Sequence, residues 1–239
     1  GEKYIENCIE SVSNQNVDFE HIVVDGKSTD KSMSILNKYH HLKVVSEKDK
    51  GMYDAINKGI SIATGDIISY LNCDDRYPSN SLLNVFKAFD DDNSIDYVYG
   101  DCKLINNLEE DLYKYKVPPI NNEILCRVSV IPWAQPSMFC KKHVFDAIGS
   151  FSNTYDLASD YHFMKKVIFS DLKGKKINKV LSCFMKRSDA LSYENFDRMH
   201  NEVEMIKKEL GHKNSKLLDF TFNSYRKIYN FQTFFRKNL

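Results

Sequence analysis

Three times between residues 19 and 80 the chain runs an apolar stretch into acidic residues and then into a helical pattern. Residues 19–25 end at Val23, Val24 and Asp25 and are followed by a Gly26-Lys27-Ser28-Thr29 loop and a helix through Tyr39. Residues 42–46 form the second such run, closing on Glu47, with a loop at Gly51 and a helix from Tyr53 to Ala63. Residues 66–72 form the third, closing on Cys73, Asp74 and Asp75, with a helix starting near Ser79. Strands that alternate with helices must be covered on both faces, so the pattern predicts an α/β fold: a Rossmann-like, mostly parallel sheet flanked by helices. Ile5, Ile9 and Val12 lie at helical spacing, so the chain opens in an amphipathic helix.

After Asp92 the rhythm changes. Residues 97–101 and 103–105 read as strands, and 112–117 pair back across the Asn106-Asn107 turn. A loop with Pro132, Trp133 and Pro136 leads into 137–140, and helices are expected over 159–169 and 194–210, with Gly211 as a break. The domain reading is an α/β unit over 1–190 and a helical C-terminal appendage over 191–239.

Lys plus Arg and Asp plus Glu both number 33, so no global field favours nucleic acid. From His212 onward, however, six basic residues (Lys213, Lys216, Arg226, Lys227, Arg236, Lys237) face one acid, Asp219, leaving that tail net +5. A basic, aromatic tail suits peripheral contact with an anionic membrane; a solvated helix packed by its aromatics explains it as well. The six cysteines show no metal-type spacing and read as reduced, buried thiols. Neither a signal peptide nor a bilayer-spanning run is evident, so the expected location is the cytoplasm, including the inner face of its membrane.

In an open parallel sheet, ligands collect outside the carboxyl ends of the strands, where Asp25, Glu47 and Asp74-Asp75 fall. A nucleotide sugar gives such acids a purpose. Its diphosphate leaving group needs charge neutralisation, which Mn²⁺ or Mg²⁺ supplies through hard oxygen ligands. Asp75 would bind the metal while Asp74 or Asp25 accepts hydrogen bonds from ribose or base. Taken singly, each acid fits a turn or helix cap better than a ligand site.

The residues themselves resemble a family. Val23-Val24-Asp25-Gly26-Lys27-Ser28-Thr29-Asp30 is similar to the nucleoside-contacting segment of family 2 glycosyltransferases, and Ser46 through Gly59 to the next signature. Ala63-Thr64-Gly65-Asp66 and Leu71-Asn72-Cys73-Asp74-Asp75 resemble its metal-binding Asp-x-Asp region, and Gln135-Pro136-Ser137-Met138-Phe139, Gly149-Ser150-Phe151 and Ser159-Asp160-Tyr161 follow in order. The resemblance implies a GT-A fold and inverting hexosyl transfer from a nucleotide sugar, UDP-linked by default, in bacterial surface-polysaccharide assembly. The acceptor would be a hydroxyl of a saccharide or a lipid-linked saccharide. It also implies that Asp25 contacts the nucleoside, Asp74 the donor and Asp75 the metal, with Asp160 as the base that takes the acceptor proton. Asp160 also fits a plain N-terminal helix acid. Asp54 and Asn57, three apart on one helix face, are expected toward the donor, with a solvated face as the alternative. Asp101, Trp133 and Gln135 are assigned to the acceptor side, Trp133 either stacking on sugar or anchoring its loop.

The resemblance departs at the beginning, where family members carry an apolar strand before the first helix. The expectation is a chain lacking that strand and impaired by the loss. Two rivals stand beside transfer: a non-catalytic scaffold of the same fold, and a sugar nucleotidyltransferase, which would call for a Gly-rich basic phosphate loop not found here.

Overall fold

A computed structural model describes residues 1–187, 189–211 and 216–230; the tail residues Lys213, Arg236 and Lys237 lie outside them. Helix α1 (Ile5–Ser13) buries Ile5, Cys8, Ile9 and Val12, the i, i+3, i+4, i+7 stripe of an amphipathic helix. Next come β1 (His21–Asp25), α2 (Ser32–Leu36), β2 (Leu42–Ser46), α3 (Met52–Ile62) and β3 (Ile67–Ile68). Then follow α4 (Ser81–Asp90), β4 (Tyr97–Ile105), β5 (Asp111–Tyr115), α5 (Asn122–Arg127), β6 (Met138–Lys141), α6 (Lys142–Ile148) and α7 (Ser159–Phe169). The remainder is β7 (Gly174–Met185), α8 (Leu191–Glu194), α9 (Phe196–Glu209) and α10 (Lys216–Tyr229).

The α/β expectation holds, with the strands divided between two sheets. β1 and β2 pair in parallel, His21 opposite Leu42 and Asp25 opposite Ser46. The larger sheet has the order β3-β6-β4-β5, with β7 against β4. In it β4–β7 is parallel, whereas β3–β6, β4–β6 and β4–β5 are antiparallel. β4 is the central strand. β7 runs along all of it from Tyr97 to Ile105, while β6 pairs with Tyr97–Tyr99 and β5 with Cys102–Ile105. Flanked by strands on both edges, β4 buries every residue from Tyr97 to Cys102.

Side chains cement the layers where the backbone cannot. Gln15, at the end of α1, donates to Ser11 and Pro78 carbonyls and accepts from Leu82 N–H, tying α1 to the start of α4. Inside the sheet, the buried hydroxyls of Ser137 and Ser182 bond each other, and Ser137 donates to the Asp101 carbonyl. α5 starts at Asn121 because its side chain accepts from Ile124 N–H, a helix N-cap. α7 has buried residues on nearly all sides and lies in the main core with Tyr97, Tyr99, Met138 and Phe151.

Two sequence expectations were refined. The third strand is assigned only at Ile67–Ile68, because the chain leaves the β6 ladder after Cys140 and Lys141 have paired. β7 was not foreseen, since Lys175, Lys176 and Lys179 break the apolar alternation that marks a strand.

The β4–β7 contact is tightest at Gly100. A Cβ there would lie 2.8 Å from the Leu181 side chain and 2.9 Å from the Lys179 carbonyl oxygen. Because a backbone atom cannot step aside, Gly100→Ala should cost about 1–3 kcal/mol in urea unfolding. Gly65→Ala, whose nearest contact would be 3.7 Å away, should stay within about 0.5 kcal/mol.

Candidate active site

The acids at the strand ends sit in contrasting environments. Asp25, buried at the end of β1, accepts from Ser28 N–H and from the Ser46 hydroxyl at 2.7 Å. Burial alone would raise its pKa, but these hydrogen bonds outweigh it and the carboxyl is held below its ordinary value. The next residue across, Glu47, donates its N–H to the Asp25 carbonyl, while its side chain pairs with Lys58 near solvent. Asp54 accepts from Lys50 N–H and also pairs with Lys58. Asn57 spends its side-chain amide on the Phe151 backbone, donating to its carbonyl at 2.8 Å and accepting from its N–H at 3.0 Å.

Asp74 and Asp75 point different ways. Asp75 is 2% exposed and its Oδ1 accepts from Met185 N–H at the end of β7. Its Oδ2 is buried without a hydrogen-bond partner among the described residues. Burial pushes the Asp75 carboxyl up to about 8; the Met185 N–H pulls it down and the neighbouring Asp74 charge pushes it further up. Asp74 pairs with Arg187 at 3.1 Å, and that guanidinium lies over the Tyr4 ring.

Among the described residues, no three His, Cys, Asp or Glu side chains converge into a complete metal shell. The partnerless Asp75 oxygen still fits a divalent cation whose other ligands come from a bound diphosphate and water.

Asp160 opens α7. Its Oδ1 accepts from the Tyr53 hydroxyl at 3.0 Å and from Tyr161 N–H at 2.7 Å. Tyr53 lies in the first turn of α3, just beyond the β2 end, so this bond joins Asp160 to the carboxyl end of the first sheet. Burial first, and then the Asp160 charge, hold the Tyr53 hydroxyl protonated and able to donate. Asp160 also lines a cavity of about 30 Å³, room for one water, with Tyr70 and Gln135. Gln135 donates to the Tyr70 carbonyl, four residues before Asp74.

The two other acceptor-side residues sit apart from this cavity. Trp133 is buried and stacked on Tyr99, ring centroids 4.0 Å apart. Asp101 is buried too, accepting from Val117 N–H at 3.0 Å and pairing with Lys114. A separate hollow, bounded by Asn121, Asp171 and Lys173, is at the amino end of β7, on the order of 30 Å of strand from Met185. It contains none of these acids. Sequence reasoning missed Arg187 because it missed the strand that delivers it. Tyr53 was in view within the Gly51-Met52-Tyr53 signature, but only the tertiary contact discloses its hydrogen bond.

Burial raises the Asp160 pKa, against the lowering effect of the Tyr161 and Tyr53 bonds. A folded-state pKa above the unfolded one means that the folded form holds its proton longer. Stability is therefore lost as pH rises through the window between the two values. Asp160→Asn keeps the Oδ1 acceptor and removes the buried charge, so it should raise Tm at pH 7. Thermal melts against pH should show the gain disappearing once the wild-type carboxyl is protonated in both states.

Residues 1–152 match the sequence model of glycosyl transferase family 2. A PGL/p-HBAD biosynthesis glycosyltransferase of Mycobacterium bovis is 27% identical over 172 residues, covering 65% of this chain and 61% of that protein. The chain thus spans about 61% of the length of that relative. Among solved structures, S. aureus TarS 1-349 in complex with UDP-GlcNAc superposes with a TM-score of 0.65 at 20% identity, over 95% of this chain and 70% of that one. The mannosyltransferase PcManGT from Pyrobaculum calidifontis, in complex with GDP-Man and Mn²⁺, gives 0.63 at 17% identity, over 95% and 67%. At these identities the two structures share the fold.

Proposed function

The chain belongs to glycosyl transferase family 2, and from that premise we propose that it transfers a sugar, with inversion and with a divalent metal, from a nucleotide-sugar donor to an acceptor hydroxyl. UDP is the proposed nucleotide, and the acceptor is a saccharide or lipid-linked saccharide in bacterial surface-glycan synthesis. The GT-A unit over 1–190 would hold the chemistry and 191–239 would serve as its appendage.

One observation carries this reading: at the carboxyl end of β1 and β2, where Asp25 meets the Ser46 hydroxyl, Tyr53 at the start of α3 bonds Asp160, and the charges of both Asp160 and Asp75 act on Tyr70. That is the end where α/β proteins hold ligands. In this reading Asp25 receives the nucleoside, with Glu47 and Asp54 beside it, Asp74 faces the donor, and Asp75 would hold Mn²⁺ or Mg²⁺. A cation bound there would offset the charge that develops on the departing diphosphate.

Arg187 adds a second positive group at the same place, suited by its planar fork to phosphate oxygens. Asp160 takes the proton of the acceptor hydroxyl through Oδ2, since Oδ1 is engaged by Tyr53 and Tyr161. The acceptor oxygen then bonds the anomeric carbon, and the nucleoside diphosphate leaves with the bonding pair. A pKa raised by burial strengthens Asp160 as a base, and the Tyr161 N–H and Tyr53 hydrogen bonds favour its ionised form. Gln135 borders the same cavity and Asn57 holds Phe151 of its wall, whereas Asp101, bonded to Val117, and Trp133, stacked on Tyr99, support the chain away from it.

Calorimetric titration of UDP with and without Mn²⁺ tests the donor site. Binding should need the metal and should be lost in Asp74→Ala, which sacrifices only a partly exposed ion pair, as well as in Asp75→Ala. UDP binding indifferent to metal and to both substitutions would remove this reading. Asp160→Asn should bind UDP normally while donor turnover falls about 10²–10⁴-fold.

A further inference from the structure

The helix α10 has two faces of opposite character. Its inner face grips the segment that leads to Asp160. Asp219 accepts from Ser129 N–H and from the Ser129 hydroxyl, and Tyr161, next to Asp160, donates to the Ser129 carbonyl at 2.7 Å. Asn230 pairs with both backbone groups of Lys116, Phe222 is buried, and the Arg226 guanidinium lies over the Tyr115 ring. At 100° per residue these inward positions leave Leu217, Phe220, Tyr225 and Ile228 on the opposite side. Leu217, Phe220 and Ile228 are each more than 70% exposed. Lys216 and Lys227 are exposed along one flank of that stripe. The only acid of the helix, Asp219, is on the inner face, so the outward surface is apolar and cationic with no negative charge.

We propose that this outward face of α10 docks on the surface of an anionic lipid bilayer, lying in the headgroup layer with Leu217, Phe220 and Ile228 inserted. Charge complementarity selects that occupant. A second copy related by a two-fold axis would set Lys216 and Lys227 against the same lysines, whereas acidic headgroups neutralise them. The stretch beyond α10 adds Phe231, Phe234, Phe235, Arg236 and Lys237 and no acid. No described helix is long and apolar enough to cross a membrane, so the contact is interfacial. This deepens the proposed function, because the helix that meets the bilayer is hydrogen-bonded to Ser129, which also accepts from Tyr161. A lipid-linked acceptor would then be presented beside Asp160.

The test uses the full chain without donor or acceptor, so its outcome is independent of UDP binding. Co-sedimentation should recover the protein with vesicles of equimolar phosphatidylcholine and phosphatidylglycerol and not with phosphatidylcholine alone. Lys216→Gln and Lys227→Gln should each weaken partitioning about fivefold. Leu217→Asn with Ile228→Asn should abolish it at an unchanged thermal melt. The two lysine variants alter only exposed side chains and keep the test valid if the double asparagine variant unfolds. Equal recovery on both vesicle types, no recovery on either, or lysine variants that bind like wild type would overturn the proposal. A dimer in sedimentation velocity that dissociates on Ile228→Asn would overturn it in favour of a second copy.

Discussion

The pairing of β7 along the whole of β4 is the interaction on which the candidate site rests. It saturates the second edge of the most buried strand and carries the chain to Met185, whose N–H meets Asp75. Two more backbone bonds, between Arg76 and Cys183, clip the segment after Asp75 to the same strand. A carboxylate as buried as Asp75 would be costly with both oxygens unpaired; β7 satisfies one and leaves the other. Two residues further on, Arg187 reaches Asp74. One strand thus orients both acids and supplies the nearest cation.

The carboxylates at this end of the molecule are chemically similar and electrostatically distinct. Asp25 is held below its ordinary pKa by hydrogen bonds from Ser28 and Ser46, so it stays an anion able to accept from a ligand. Burial raises Asp75 and Asp160, and their partners differ: a backbone N–H for one, a tyrosine hydroxyl and a backbone N–H for the other. Environments that push like groups apart are how one site assigns different roles to the same functional group.

The elements around the site also divide binding from support. Asn57 and Asp101 are polar residues whose hydrogen bonds hold the chain itself, at Phe151 and Val117. Lys165 does likewise beneath the acceptor side. Burial lowers its pKa to about 8, and its ammonium bonds the Leu125 and Val128 carbonyls where α5 ends, a position favoured by the helix dipole. With Asp219 it fixes the 125–129 segment from both sides, so the wall next to Asp160 is set by residues far away in sequence.

Local pattern determined a good deal by itself. The amphipathic stripe of α1, the strands ending at Asp25 and Ser46, and α3 and α4 follow from apolar periodicity, which depends only on neighbours along the chain. The ordered signatures from Val23 to Tyr161 pointed to the family and to the strand-end acids. Tertiary structure decided what those acids touch. β7 was hidden because its lysines mask the alternation, and Arg187 was hidden with it. The Tyr53–Asp160 and Asp75–Met185 contacts join residues 107 and 110 positions apart. Such pairings, and the desolvation that separates Asp75 and Asp160 from Asp25, arise only when distant segments exclude water from one another.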